Sequence, residues 1–171
     1  MRIYLCGGIK KTVNDGKIIW SEEDKETIRK VLGKVELMDP QRNPERADYL
    51  AAFGCDLNDV KKADIVMVDA RQKRGVGIGA EMMIAKTMGK PVVSVVPRNS
   101  HYRKDVLDHL REIIENWEHP FIFGLSDKVA DTVEEAAQWV KGFLEKPGKV
   151  KDGSVVVEAI DYYLEKRRGS G

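Results

Sequence analysis

Short apolar runs alternate with longer amphipathic ones along the whole chain. RIYLC at residues 2–6 is β-rich and ends at Gly7-Gly8. SEEDKETIRKVLG follows with Ser21 as helix N-cap, Asp24 at the capping-box position and Gly33 as the stop. VELM predicts a second strand. ERADYLAAFGCDLNDVKKA places Ala47, Leu50, Ala51, Leu57 and Val60 at helical spacing, with Gly54 as an internal break. DIVMVDA is almost wholly apolar, as a strand covered on both faces should be. Next comes a glycine-rich turn, GVGIGA, and then a helix opened by Glu81 and stopped at Gly89. GKPVVSVVP predicts a fourth strand, DVLDHLREIIENW an amphipathic helix and FIFG a fifth strand. DTVEEAAQWVKGFLEK predicts a helix capped by Asp131. The polar linker KPGKVKDG leads to a last helix, VVVEAIDYYLEKRR.

This βα alternation implies one α/β domain with a doubly wound, five-stranded parallel sheet and right-handed crossovers. The expected boundaries are 1–147 for the domain and 148–171 for the linker and extra C-terminal helix. Ligands of such sheets bind beyond the carboxyl ends of the strands, near the switch in strand order. The segments to search are therefore CGGIKKT, MDPQRNPER, DARQKRGVGIGAE and VVPRNSHYRK.

Composition narrows the classes. The 171 residues are 42% hydrophobic and 33% charged, with 29 Lys plus Arg against 28 Asp plus Glu. A net charge of +1 gives no basic excess for polymeric nucleic acid. No apolar run approaches the ~20 residues of a membrane span. Cys6 and Cys55 form no metal spacing and read as reduced thiols, so a cytoplasmic protein is expected.

The chemistry concentrates around one carboxylate. GVGIGA resembles a dinucleotide fingerprint, but it follows the third strand rather than the first. Gly75, Gly77 and Gly79 nevertheless let backbone approach a ligand, and a helix start favours an anion. Glu81 lies one turn from Ala85 and two from Met88, on the packing side of its helix. A solvent-facing dipole carboxylate and a functional one are about equally supported there. Deprotonation by the helix N-terminus would suit a nucleophile. Asp56, after Gly54, reads first as a cap of the next turn. Asp69 ends the third strand and is expected to point into the same crest. Carboxylates meeting a glycine-lined site suit an oxocarbenium-like transition state. Tyr4 reads as a core aromatic with its hydroxyl at the sheet edge. Arg71, Lys73 and Arg74 read as solvated surface within reach of a phosphate. His101, His109 and His119 read as surface or helix positions.

Together, RIYLCGGI, CDLNDVKKADIVMVDA and GVGIGAEMMIAKTMGKPVV resemble the nucleoside 2-deoxyribosyltransferase family, which includes the 2'-deoxynucleoside 5'-phosphate N-hydrolases. The resemblance covers roughly the first hundred residues. It implies a flavodoxin-like fold, a homo-oligomer whose site lies at a subunit interface, and no metal or organic cofactor. It implies that Glu81 attacks the anomeric carbon of a 2'-deoxyribose, that Asp56 contacts the sugar, and that Tyr4 sits beside the 2' position. Gly7, Gly8, Ile9 and Lys10 would meet the substrate after the first strand, with backbone amides and Lys10 serving a 5'-phosphate. Gly75 stands where the transferases carry an Asp, and Gly8 where the hydrolases carry a Ser. A residue from the partner subunit would reach the sugar's 5' end, matched here by Ser100 or Asp108. The reaction is therefore expected to be N-glycosidic cleavage of deoxynucleosides or their 5'-monophosphates, with a base or water as acceptor. The competing expectation is a nucleotide-binding module without catalysis.

Overall fold

The computed structural model describes residues 1–9, 19–42 and 47–169. Strand β1 spans Arg2–Cys6 and helix α1 spans Glu22–Leu32. Ser21 caps α1, and its hydroxyl and the Asp24 carboxylate complete a reciprocal capping box. Gly33 ends the helix at φ 74°, where a side chain would be strained. β2 (Glu36–Met38), α2 (Tyr49–Lys62), β3 (Ile65–Asp69), α3 (Val76–Thr87) and β4 (Val92–Val95) follow in the order the pattern predicts. The remaining elements are β5 (Arg103–His109), β6 (Glu112–Glu118), α4 (Pro120–Leu125), β7 (Lys128–Ala130), α5 (Val133–Glu145) and α6 (Val155–Arg168).

The main sheet is parallel, with strand order β2-β1-β3-β4-β7. This is the flavodoxin-like order, whose switch point lies between β1 and β3. Every residue of β3 is buried, which explains its unbroken apolar sequence. Alternation along β1 divides the core. Ile3 and Leu5 join Ile28, Ala136 and Val140 on the α1/α5 side. Tyr4 and Cys6 join Val60, Ile78, Met82 and Ala85 on the α2/α3 side.

Two expected elements and one helix cap are different. Residues 105–117 are not a helix but most of an antiparallel hairpin, β5–β6, with Leu107 opposite Ile114. The apolar positions fit a helical period, yet Val106, Ile113 and Ile114 also favour strands. Local ties select the hairpin. Arg103 reaches Asp131 at 2.6 Å and Glu118 across the strands at 3.3 Å, and Asn99 binds Asp105 at 2.8 Å. The two-residue turn puts Leu110 at φ 52° and Arg111 at φ 74°, the left-handed pair that such a turn needs. Neither residue is suited to it. Replacing them with Asn-Gly should raise stability by about 1–2 kcal/mol, read from the denaturant midpoint.

FIFG is likewise not a strand. Pro120 sits at the first position of α4, and Ile122 and Leu125 face inward one turn apart. The edge strand is β7, which pairs with β4. The cap of α5 is Thr132 rather than Asp131, because the Thr132 hydroxyl accepts from the Glu135 amide at 3.1 Å. Helix α6 forms as expected and buries none of its residues. Among the described residues no helix is long and apolar enough to cross a membrane.

Candidate functional site

The residues that meet come from three elements around the switch point. β1 delivers Tyr4 and Cys6, both fully buried on the α2/α3 side. Their main chain is fixed by pairing with Val66 and Val68. Trp20 then locks the end of the strand, its indole N–H donating to the Cys6 carbonyl at 3.1 Å. Gly7 is needed here, since a Cβ would lie 3.0 Å from Trp20 Nε1. α3 delivers Glu81, three residues after buried Ile78 and four before buried Ala85. α2 delivers Asp56.

Two sequence expectations about this helix pair are corrected. α2 runs unbroken through Gly54, so Asp56 is an interior helical residue and not a cap; the helix is capped by Asp48. The sequence GVGIGA is not a loop. Gly75 is the N-cap, and Gly77 and Gly79 lie in the first turn of α3 itself. Packing of Ile78, Met82 and Ala85 on the sheet outweighs the roughly 1 kcal/mol that each interior glycine costs. A Cβ at Gly75 or Gly79 would meet nothing within 4 Å, and one at Gly77 would lie 3.6 Å from Glu81 Oε1. The bare first turn thus leaves Glu81 approachable.

Glu81 is also one turn deeper than expected, and its ionisation is set by burial rather than by the helix end. Burial raises its pKa from 4.5 to about 7. The nearby Asp56 carboxylate adds to the rise, while Cys6 and Tyr4 oppose it as donors. Their approach is loose, because Tyr4 Oη and Glu81 Oε2 each lack a partner at full hydrogen-bonding geometry. Burial, with Glu81 and Asp56 nearby, also drives the Tyr4 phenol far above its ordinary range, so it stays a neutral donor. A largely buried carboxylate with an unpartnered oxygen, flanked by two protonated donors, can act as a nucleophile at neutral pH.

Asp69 does not reach into this space as a free acid. It is fully buried and paired with Arg71 at 2.9 Å and Arg74 at 2.5 Å. These arginines are correspondingly not solvated surface. Arg71 bridges to Asp24 at 2.8 Å, which ties the loop to α1. The Arg74 side chain is 2% exposed and binds the Asp69 carbonyl, and its amide donates to the Tyr102 hydroxyl at 2.8 Å. The network holds the loop that launches α3, and so positions Glu81. Lys73 is exposed.

Gly8 and Ile9 are half-buried beyond β1, and Lys10 lies outside the described residues. Ser100 sits in the turn after β4, its amide on Pro97 O at 3.2 Å and its buried hydroxyl without a partner. Asp108 is exposed on the hairpin, opposite Ile113. The structure therefore gathers Tyr4, Asp56 and Glu81, and leaves Ser100 and Asp108 on separate elements. His119 is not a plain surface residue: it packs edge-on against Tyr102 at 5.3 Å. Sequence reasoning missed Cys6, whose only signal was its β1 alternation with Tyr4. It also missed Lys86, a charged residue buried one turn beyond Glu81.

A separate cleft of about 610 Å³ lies between α5, the 146–154 segment and α6, beside Trp139, Phe143, Lys146 and Lys149. None of the candidate residues lines it. Among the described residues no three His, Cys, Asp or Glu side chains cluster as a metal site.

A solved structure similar to this one is that of Clostridium botulinum CMP N-glycosidase, BcmB. It is 15% identical, with a TM-score of 0.45, and the match covers 82% of this chain and 99% of that chain. No family model and no curated protein matches the chain. The functional reading accordingly rests on the geometry around Glu81.

Proposed function

We propose that the chain cleaves the N-glycosidic bond of 2'-deoxynucleosides or their 5'-monophosphates through a covalent Glu81–deoxyribosyl intermediate. One observation carries this reading. Glu81 is a largely buried carboxylate with an unpartnered oxygen, tuned to about 7, at the switch point of an α/β sheet. In the first step a Glu81 oxygen attacks C1' as the bond to the base nitrogen breaks. The base departs with the bonding pair and takes up a proton, and a glycosyl ester remains. Developing positive charge on the sugar is stabilised by Glu81 and by the neighbouring Asp56. Tyr4, held neutral and packed in the core, lies beside the sugar's 2' carbon and leaves little room for a 2'-hydroxyl. In the second step water or another base attacks C1' and releases Glu81.

Burial of these groups on one chain agrees with a site that needs little solvent near the ester. The apolar residues α6 exposes, Val157, Ile160, Tyr162 and Tyr163 among them, are compatible with assembly of a homo-oligomer around the site. Light scattering on the purified chain tests that part.

The decisive experiment is trapping with a 2'-deoxy-2'-fluoro nucleoside followed by peptide mass spectrometry. The label should fall on Glu81. A label elsewhere, or none while base release continues, overturns the intermediate. Incubating deoxyinosine or its 5'-monophosphate with and without a second base then separates exchange from hydrolysis. The pH profile has a required sign. Only the ionised carboxylate attacks, so kcat/KM should fall tenfold per pH unit as pH drops below about 7.

A further inference from the structure

We propose that Cys6 is a positioning residue for Glu81: its buried thiol donates toward the carboxylate and stabilises the ionised, attacking form. The inference rests on the reading of Glu81 as nucleophile but concerns a residue that reading does not use. Cys6 and Tyr4 are two residues apart on β1 and share the α2/α3 face, each with no exposed surface. Glu81 lies on α3 among Ile78, Met82 and Ala85, which pack in the same cluster as Cys6, and its Oε2 is buried. The thiol cannot retreat. Its residue is held by the Val68 pairing and by Trp20 on its carbonyl, and the Trp20 ring leaves no room for a side chain at Gly7 beyond it.

The charged and titratable groups around this pair are few. Tyr4 comes from β1, Asp56 from α2, and Asp69 and Arg74 from β3 and the loop after it. Burial together with the Glu81 and Asp69 charges keeps the thiol protonated, and Arg74 opposes this only weakly. The sulfur therefore offers a proton and does not compete as a nucleophile. A thiol is a weak donor that packs like a small hydrophobe. At position 6 it favours the ionised carboxylate more gently than a hydroxyl would, and so costs the attacking oxygen less of its basicity.

The test is direct titration of the Glu81 carboxyl in full-length protein labelled with ¹³C-glutamate, its signal assigned by its loss in Glu81→Gln. Cys6→Ala removes the donor. Cys6→Val removes it while filling the space, should the alanine variant fold poorly. Cys6→Ser keeps an O–H donor. In the donorless variants the midpoint should rise by at least about half a pH unit. In Cys6→Ser it should return to the wild-type value or below. The acid limb of kcat/KM should follow the same order. A midpoint unmoved in Cys6→Ala and Cys6→Val, or moved equally by all three, overturns the proposal, since a purely structural role lowers stability and leaves the titration alone. Wild-type protein without glycosidase activity but with the predicted shifts would overturn the proposed reaction and uphold the Cys6–Glu81 coupling.

Discussion

Glu81→Gln should abolish base release from deoxynucleosides and, above pH 7, make the folded protein more stable. Both effects follow from one carboxylate. An amide cannot form the glycosyl ester, so turnover should fall by at least about a thousandfold, the order seen when a group acting only in the transition state is lost. The stability effect comes from burial. The folded-state pKa of about 7 lies above the ordinary 4.5, so the folded protein holds the Glu81 proton more tightly than the unfolded chain. The wild-type protein therefore keeps this stability below pH 4.5 and loses it as pH rises to 7. At about 1.4 kcal/mol per pH unit, the ionised group costs the native state roughly 3 kcal/mol at pH 8. The neutral amide of the variant carries no such cost. Denaturant melts of the two proteins should diverge by about that amount at pH 8 and converge at pH 4. Equal stability at both pH values would mean that Glu81 is solvated and the burial argument fails. Near-wild-type turnover in the variant would end the nucleophile reading altogether.

The largest loss of stability should come from Asp127→Ala, at a residue outside the candidate site. Lys86 has no exposed surface, although it lies on α3 one turn beyond Glu81. Its ammonium is ion-paired with Asp127 and donates to the carbonyls of Lys90 at 3.0 Å and Lys151 at 3.1 Å. Asp127 also accepts from the amides of Val92 and Lys151, each at 2.7 Å. One carboxylate thus joins α3, β4 and the segment leading to α6. Burial already pulls the Lys86 pKa down despite its partner. Removing Asp127 strands a buried cation and two amides, at a cost of about 3–5 kcal/mol. Limited proteolysis should then cut the 146–154 segment faster, because the Lys151 amide loses its acceptor. Adding Lys86→Met to the variant should recover part of the loss, since no unpaired charge remains. A loss under about 1 kcal/mol for Asp127→Ala would mean that water reaches Lys86.

Patterning carried much of the fold. The run IVMVD could only be a strand buried on both faces, and Ser21 with Asp24 announced the start of α1 to the residue. Such signals are local: side-chain period, cap chemistry and a glycine stop act within a few residues of one another. The errors arose where one sequence satisfied two local rules. Residues 105–117 fit a helical period and a strand composition equally, and contacts to Asp131 and Glu118 chose the hairpin. GVGIGA has the composition of a turn, yet side chains packing against the sheet draw it into α3.

The site divides the same way. Position on the chain marked Glu81, because a carboxylate on an apolar helix face calls for an explanation. The resemblance named Tyr4 and Asp56 beside it, but the pairing of Asp69 and the part of Cys6 were not legible. Asp69 looked like a free acid until the fold brought Arg71 and Arg74 onto it, and Cys6 looked inert until β1 and α3 faced each other. What the sequence settles by itself is which stretches are strands or helices where one rule dominates, and that an acid sits among apolar neighbours at residue 81. The tertiary structure alone decides which charges are neutralised and how far burial lifts that acid's pKa, because desolvation and pairing depend on groups dozens of residues apart.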